Sequence, residues 1–277
     1  MILEFTKMHG LGNDFVVIDG VSNEFNLSPE QIRTLGNRHT GVGFDQLLVI
    51  APATAPGFDF SYLVFNPDGI QVENCGNGAR CMVSFIRNRG LSDNNEFTLQ
   101  LINGSLHCQA KADGNVTVDM GAPRFEPQNI PFKADTLAVT YPLTLPSGES
   151  LEVGVLSMGN PHAVLIVPDI DQAPVSLWGP LIENHESFPD RVNAGFMQVV
   201  NAGTIRLRVF ERGAGETLAC GTGACAAVVS GIQQGLLDNS VTVQLPCGDL
   251  QINWQGENTS VYKTGPAETV FEGSIEL

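Results

Sequence analysis

The 277-residue sequence is poor in charge and especially poor in cations: 16% of its side chains are charged, with 14 Lys and Arg against 30 Asp and Glu. The resulting formal net charge of −16 repels phosphate backbones and leaves no basic surface for counterion release, so nucleic acid is not an expected partner. The most apolar stretches, LLVIAPA and HAVLIVP, are far too short to span a membrane. The N-terminus lacks a basic segment followed by an apolar one, so we expect a cytoplasmic protein.

Cysteine is also scarce, since six residues in a chain of this length are too few for a disulfide scaffold. The spacings Cys75–Cys81 and Cys220–Cys225 do not match the C-x₂₋₄-C pattern of a zinc site, so no metal is expected. Four cysteines without a distinctive setting are expected to be small buried hydrophobes: Cys81, Cys108, Cys225 and Cys247.

What the sequence does contain is the same cysteine-bearing turn twice, in VENCGNGARC (residues 72–81) and LACGTGAC (residues 218–225). Aligning residues 75–91 with 220–236 gives seven identities in seventeen positions, where composition alone would give about one or two. Three further blocks recur upstream in the same order. They pair Asn66 with Glu211, GVGFDQ (41–46) with NAGFMQ (193–198), and Gly12-Asn13 with Gly159-Asn160. The chain therefore consists of two homologous halves.

The local patterns predict mixed α and β structure in each half. DFVVIDG and HAVLIVPD are typical of strands, and SPEQIRTLGNR predicts a short helix with Ser28 as N-cap and Gln31 completing a capping box. After each glycine turn, an apolar stretch that ends at Gly90 or Gly235 predicts a buried helix. We predict an α+β fold of two pseudo-symmetric halves, each a curved, mostly antiparallel sheet wrapped round a central helix, with a cleft between them.

The repeated turn suggests acid–base chemistry. Its glycines allow close backbone approach to a ligand, and a helix that starts there points N–H groups at an anion. The same field stabilises a thiolate, so each cysteine is expected to ionise more readily than a free one, whose pKa is about 8.5. Two such cysteines on opposite sides of a planar carbanion could remove a proton from one face and deliver one to the other, with no cofactor.

Seven blocks together resemble the diaminopimelate epimerase family over Lys7 to about Gly235: KMHGLGNDFVVID, NPDG, CGNGAR, SMGNPH, RVNAGFMQ, ERGAGET and ACGTGACAA. One departure touches the expected anion site, where Thr222 stands in place of the common serine but keeps the hydroxyl. The resemblance implies a pyridoxal-independent epimerase that converts LL-2,6-diaminopimelate to the meso form, on the bacterial route to lysine and peptidoglycan.

The resemblance also implies roles for residues of this chain. Cys75 and Cys220 would be the acid–base pair, with His162 and Glu211 setting their pKa values. Backbone N–H groups would hold the reacting carboxylate, and polar side chains would contact the rest of the substrate. The expected substrate-binding residues are Asn13, Gln46, Asn66, Gly76, Asn77, Asn160, Asn193, Glu211, Arg212, Gly221 and Thr222.

We expect an N-terminal half of residues 1–119, to which the tail 264–277 returns, and a C-terminal half of residues 120–263. The proline-rich PRFEPQNIPFKADTL is the expected connector, and YKTGPAETVFEGSIEL predicts a final strand after a turn. The resemblance implies a homodimer, with the apolar tail TVFEGSIEL as one candidate contact.

Two other functions fit parts of the pattern. A proline-racemase-type enzyme uses a similar second turn, but it would not need the set Asn66, Asn160, Asn193 and Arg212 for a remote amino acid group. A thiol redox or metal-binding protein would instead join the two cysteines or use them as ligands. Incubation with LL-diaminopimelate in deuterated water, with no metal added, is the discriminating test: deuterium at the α-carbon without added cofactor would support the epimerase, and its absence in the freshly reduced protein would favour the redox or metal-binding function.

Overall fold

The structure is a computed structural model that describes residues 2–73, 75–146 and 148–277. The chain forms two compact units. The first comprises residues up to Asp119 together with Thr264–Leu277, and the second comprises Met120–Lys263. Both are rich in strands with few helices, so the predicted α+β class is confirmed.

The first unit contains two helices, α1 (Pro29–Gly36) and α2 (Gly76–Asn88). Its strands are β1 (Ile2–Gly10), β2 (Asn13–Asp19), β3 (Gln46–Pro52), β4 (Phe60–Phe65), β5 (Gln71–Val72), β6 (Glu96–Leu101), β7 (Gly104–Ala110), β8 (Val116–Asp119) and the C-terminal β18 (Glu268–Glu276). The helix α2 packs against β1, β2, β3, β7 and β8. The sheet therefore surrounds the helix that follows the first glycine turn.

The second unit contains the helices α3 (Val175–Glu183) and α4 (Gly221–Gln233), with a short 3₁₀ turn at Pro127–Asn129. Its strands are β9 (Tyr141–Thr144), β10 (Ser150–Ser157), β11 (Pro161–Ile166), β12 (Asn193–Asn201), β13 (Thr204–Glu211), β14 (Gly215–Thr217), β15 (Ser240–Leu245) and β16 (Gly248–Asn253), and β17 (Tyr262–Gly265) crosses the boundary between the units. Strands β10 to β13, β15 and β16 contact α4. The tail thus forms two strands rather than the single strand predicted.

The two units share one order of strand pairing. Parallel ladders join β2 to β3 and β4 to β6 in the first unit, and β11 to β12 and β13 to β15 in the second. The strands β3 and β4 are antiparallel, as are β12 and β13. This common topology is what the internal repeat predicts.

The register corrects one of the aligned blocks. Phe15 lies opposite Gln46 in the first unit, and His162 lies opposite Asn193 in the second. Phe15 and His162 each follow the repeated Gly-Asn pair by two residues. Asn193 therefore occupies the position of Gln46, and matching GVGFDQ to NAGFMQ, which pairs Gln46 with Gln198, is wrong. That match relied on the shared Gly-Phe-x-Gln residues, which carry no information on strand register.

The predicted helix ends are confirmed. The Ser28 hydroxyl accepts a hydrogen bond from the Gln31 N–H, and the Gln31 side chain accepts one from the Ser28 N–H. After α2 and α4 the chain reverses at Gly90 and Gly235, whose φ values of +66° and +70° suit glycine. No helix among the described residues is long and apolar enough to cross a membrane.

Candidate functional site

Cys75 is the N-cap of α2, so its side chain lies where the helix begins. Its Sγ accepts a hydrogen bond from the Gly78 N–H at 3.4 Å, and its carbonyl accepts one from the Tyr62 hydroxyl at 2.9 Å. A Cβ on Gly78 would lie 2.4 Å from the Tyr62 hydroxyl oxygen, so only glycine fits there. The second glycine of the turn therefore allows the close contact that holds Cys75.

The four predicted amide side chains of the first unit form two hydrogen-bonded pairs. The Asn13 Oδ1 lies 3.9 Å from the Cys75 Sγ and accepts a hydrogen bond from the Asn77 Nδ2 at 3.3 Å. Gln46 donates to the Asn66 Oδ1 at 3.2 Å. The structure thus places Asn13 and Asn77 beside Cys75, and joins Gln46 to Asn66 as a neighbouring pair.

Cys220 occupies the same position at the start of α4. Its Sγ accepts a hydrogen bond from the Gly223 N–H at 3.4 Å and lies 3.6 Å from the Thr222 hydroxyl oxygen. The carboxylate of Glu211, close enough to raise the pKa of Cys220, accepts a hydrogen bond from the Thr217 hydroxyl. Unlike Cys75, which is partly exposed, Cys220 is buried.

The other predicted residues of the second unit form two hydrogen-bonded groups. Asn160 donates to the Thr222 hydroxyl at 3.3 Å, and its Oδ1 lies 3.0 Å from the His162 Nε2, which donates because the amide oxygen can only accept. The Asn193 Oδ1 accepts the Arg212 N–H at 2.9 Å. The Arg212 guanidinium donates to the Asp190 carbonyl at 3.0 Å.

In both helices the first intrahelical bonds run from Ala79 N–H to the Cys75 carbonyl and from Ala224 N–H to the Cys220 carbonyl. The N–H groups of Gly76, Asn77, Gly221 and Thr222 belong to the first turns of the two helices, where backbone N–H groups point out of the helix end rather than to an earlier carbonyl of the same helix. The two turns can therefore each present backbone donors to a carboxylate, with the positive end of the helix dipole behind them.

The expectation of an easily ionised thiol is wrong for Cys220. Burial raises its pKa, and the Glu211 carboxylate raises it further, because both disfavour a buried thiolate. Bonds from Thr222 and from the Gly223 N–H act in the opposite direction but are outweighed. Burial, with a smaller effect from the charge of Arg212, also lowers the pKa of His162 to about 3, so the imidazole is neutral.

Several residues around the two cysteines were not found from the sequence. Tyr62 and the fully buried Arg80 support the Cys75 turn, and Asp45 binds the amide of Asn13. The buried Glu183 accepts the Gly213 N–H at 2.7 Å, which holds the segment next to Arg212. The one available signal was Arg80, a cation near the start of a predicted buried helix.

Two further sequence expectations concern metals and the remaining cysteines. Within the described residues, no group of three or more His, Cys, Asp or Glu side chains could hold a metal ion. Cys81, Cys108 and Cys225 are buried, as expected. Cys247 is exposed, which corrects its assignment to the core: it lies in the turn between β15 and β16, where the chain reverses at the surface.

Known proteins match the chain over its whole length. The sequence profile of the diaminopimelate epimerase family matches residues 5–126 and 154–270. The diaminopimelate epimerases of Chromobacterium violaceum and Laribacter hongkongensis are 60% and 58% identical, and each alignment covers 100% of both chains.

Solved structures of lower identity share the fold. A phenazine biosynthesis protein of the PhzF family from Bacillus anthracis has a TM-score of 0.71 at 16% identity and full coverage of both chains. A probable proline racemase from Agrobacterium radiobacter has a TM-score of 0.69 at 16% identity, covering 99% of this chain and 92% of that one. At such identity the similarity concerns architecture alone.

Proposed function

Since the chain belongs to the diaminopimelate epimerase family, we propose that it converts LL-2,6-diaminopimelate to the meso form, without a cofactor, for lysine and peptidoglycan precursor synthesis. One observation carries the mechanism: each unit holds a cysteine at the N-cap of a buried helix, with its sulfur accepting a backbone N–H bond. Such paired thiols suit the removal and return of a proton at one carbon.

In this mechanism one thiolate takes the α-proton from the substrate, and the other cysteine, as a thiol, gives a proton to the opposite face of the carbanion. The configuration inverts because the proton leaves from one face of the carbon and the new proton arrives at the opposite face. The roles exchange in the reverse reaction. A pair of cysteines can do this with no net consumption of protons, since each turnover moves one proton onto one sulfur and one proton off the other.

The carbanion needs stabilisation, because a C–H group next to a carboxylate is a very weak acid. The N–H groups of Gly76 and Asn77, and of Gly221 and Thr222, would hold the reacting carboxylate. Fixed donors of this kind stabilise the negative charge that moves onto the carboxylate oxygens as the proton leaves. Desolvation of the site would strengthen that effect.

The charged and amide side chains would recognise the remote amino acid group of the substrate. Arg212 is suited to a carboxylate, because its planar guanidinium can donate two parallel bonds. Glu211 would bind an ammonium group. Amide side chains would supply the remaining hydrogen bonds to the substrate carboxylate and ammonium groups. These amides are Asn13, Gln46, Asn66, Asn160 and Asn193.

The two cysteines would begin the cycle in different protonation states. Burial and the adjacent Glu211 carboxylate favour the neutral thiol of Cys220. We infer that Cys220 starts as the proton donor. His162 would act on the thiols as a neutral imidazole, through Asn160 and Thr222, rather than as a cation.

The test is to incubate the freshly reduced protein with LL-diaminopimelate in deuterated water and to measure deuterium at the α-carbon by mass spectrometry. We expect incorporation without added metal or cofactor. Cys75→Ala and Cys220→Ala should each lower turnover by about 10²-fold or more, since either removes the proton carrier of one face. Cys247→Ala, at an exposed turn, is the matched control and should leave turnover unchanged.

Near-normal turnover in either single variant would contradict the two-cysteine scheme. Incorporation from proline but not from diaminopimelate would identify a proline-racemase-type enzyme instead. No exchange with either amino acid would favour a thiol redox or metal-binding function.

We also infer a cytoplasmic homodimer. A reducing compartment would keep both cysteines as thiols. The strand β18 pairs with β1 and leaves Val270 and Phe271 about half exposed, at 55% and 48%. A second copy would cover such a long apolar strand. Sedimentation equilibrium should give twice the chain mass of 29.6 kDa, and a monomer at micromolar concentration would contradict the inference.

A further inference from the structure

Two charged residues lie at the ends of a row of hydrogen bonds beside Cys75. Arg80 donates through Nη1 to the Asn77 Oδ1 at 3.0 Å, and Asn77 donates through Nδ2 to the Asn13 Oδ1 at 3.3 Å. Asn13 then donates through Nδ2 to the Asp45 Oδ2 at 2.8 Å. All three bonds run in one direction, from a cation to an anion.

The two ends determine this direction. A carboxamide can be turned over, exchanging its oxygen and its NH₂ group, but a guanidinium only donates and a carboxylate only accepts. The Asn77 oxygen must therefore face Arg80, and the Asn13 NH₂ group must face Asp45. With both ends fixed, neither amide can turn over without losing a bond to a charged group.

Each end is itself held in place. The Arg80 side chain is fully buried, and its Nε donates to the Pro266 carbonyl at 3.0 Å. Asp45 accepts the Asp14 N–H at 3.1 Å and the Arg38 guanidinium at 2.8 Å. Arg38 and the buried Lys7 also bind the Asp14 carboxylate, so the anionic end lies in a paired set of charges.

The direction matters for Cys75, because it decides which atom of Asn13 faces the sulfur. The oxygen of Asn13, 3.9 Å from the Sγ, can accept a bond from the S–H of a thiol. The NH₂ group in its place would stabilise a thiolate instead. The row of amides thus controls how firmly Cys75 keeps a proton that it has taken up.

We propose that Arg80 and Asp45 are positioning residues that fix the direction of the Asn77–Asn13 amide pair and so present an oxygen to the Cys75 thiol. The effect of this arrangement on catalysis rests on the proposed epimerase function, but the hydrogen bonds themselves do not depend on substrate. The arrangement belongs to one half only, since Cys225 and Val192 stand at the corresponding positions of the other.

The test is the titration of Cys75, measured as the rate of its alkylation by iodoacetamide between pH 6 and pH 10 and read by mass spectrometry of the Cys75 peptide. A Cys220→Ala, Cys247→Ala background removes competing thiols. Burial raises the pKa of Cys81 to about 12 and raises the pKa of Tyr62, so neither group ionises in this range.

We expect Asp45→Asn to lower the apparent pKa of Cys75 by about one unit, the size of one net hydrogen bond, because Asn13 can then turn its NH₂ group to the sulfur. Arg80→Met should raise the pKa of Cys75. Asn77 then no longer has to donate to the Asn13 oxygen, which is left to accept the S–H of the Cys75 thiol. Arg80→Lys should act in the same direction as Arg80→Met, since a compact ammonium cannot span Pro266 and Asn77 as the guanidinium does.

A simple effect of charge would give the same signs for Asp45→Asn and Arg80→Met, so two comparisons separate it from the proposal. Under the proposal, the double variant is non-additive, because Arg80 has no effect once Asn13 has turned. A pKa unchanged in Arg80→Lys, together with additive shifts in the double variant, would overturn it. Arg87→Met, an exposed arginine of the same helix, is the control and should leave the titration unchanged.

If Arg80→Met fails to fold, Arg80→Lys and Asp45→Asn carry the test, since both keep the size of the side chain. Deuterium exchange is measured in the protein that keeps all of its cysteines. Shifted titrations, together with no exchange in that protein, would sustain the positioning role and refute the epimerase. Deuterium exchange together with titrations that do not shift would sustain the epimerase and refute the positioning role.

Discussion

At the residue scale, the two cysteines have the same place in the fold but different neighbours. Each caps a helix and accepts a backbone N–H, yet Cys220 is buried against the carboxylate of Glu211, whereas Cys75 lies beside the amide oxygen of Asn13. Asn66 occupies the position of Glu211 in the first unit. The carboxylate that adds to the effect of burial on the pKa of Cys220 therefore has an uncharged amide in its place in the first unit.

His162 provides a prediction at this scale. Its pKa falls from 6.5 to about 3 on folding, so the unfolded chain binds one more proton than the folded chain between these values. Stability therefore rises with pH in this window, and is lost as the pH falls below 6.5, by up to about 1.4 kcal/mol per pH unit. Urea denaturation at pH 7, 6 and 5 measures the slope.

In His162→Gln, the amide can still donate to Asn160 but does not titrate, so the dependence between pH 7 and pH 5 should flatten. Equal slopes in the two proteins would show that His162 is not the group responsible. Asp14 does not interfere, since hydrogen bonds from Arg38 and Lys7 outweigh the effect of burial and lower its pKa to about 2.

The sequence was sufficient to find the two cysteines, because a repeated glycine turn is a local pattern. It did not reveal the pKa of Cys220, which depends on burial and on a carboxylate nine positions earlier in the chain. Asp45 and Tyr62 were missed for the same reason: their roles come from strand pairing that brings distant segments together.

At the element scale, the helices that begin at the glycine turns are closely packed at their first residues. A Cβ on Gly78 would lie 2.4 Å from the Tyr62 hydroxyl and 3.0 Å from Leu48, whereas one on Gly195, within β12, would meet neighbours at an ordinary 3.8 Å. The start of α2 therefore packs so closely against β3 and β4 that there is no room for a side chain at position 78.

We expect Gly78→Ala to lower the free energy of unfolding by about 1–3 kcal/mol through overpacking, and to reduce turnover because the Cys75 turn must shift. Gly195→Ala should change stability little. Thermal unfolding and deuterium exchange measure the two effects.

Tyr62→Phe removes the hydroxyl oxygen with which the new methyl group would collide. The double variant Tyr62→Phe, Gly78→Ala should then lose less stability than the sum of the two single variants. Strict additivity would mean that the Tyr62 hydroxyl is not what excludes a side chain at position 78.

Elements were predictable where a local signal marks their ends. The capping box at Ser28 and the glycines at positions 90 and 235 located three helices from sequence alone. The pairing of Gln46 with Gln198 failed because residue identity does not record strand register. Only the ladders show that Gln46 and Asn193 begin equivalent strands.

At the scale of the whole molecule, each unit has its own core. Leu35 lies in the core of the first unit and Leu143 in that of the second, and both are fully buried. Both tryptophans, Trp178 and Trp254, belong to the second unit. Tryptophan fluorescence therefore reports on one unit, while circular dichroism reports on both.

We expect Leu35→Ala and Leu143→Ala each to cost about 2–5 kcal/mol in the unit that contains the leucine. In urea, Leu143→Ala should lower the midpoint of the fluorescence transition. Leu35→Ala should lower the midpoint seen by circular dichroism more than that seen by fluorescence. Equal shifts by both probes in both variants would indicate that the two units unfold as one.

The return of the C-terminal segment to the first unit has a consequence for biosynthesis. The strand β18 pairs with β1 along nearly its whole length, so β1 lacks this neighbour until residues 268–276 have left the ribosome. The second unit is by then already complete, since all of its residues precede position 264. The half of the enzyme that is translated first is therefore finished after the other half, and a chain whose synthesis is interrupted before β18 would have only the second unit whole.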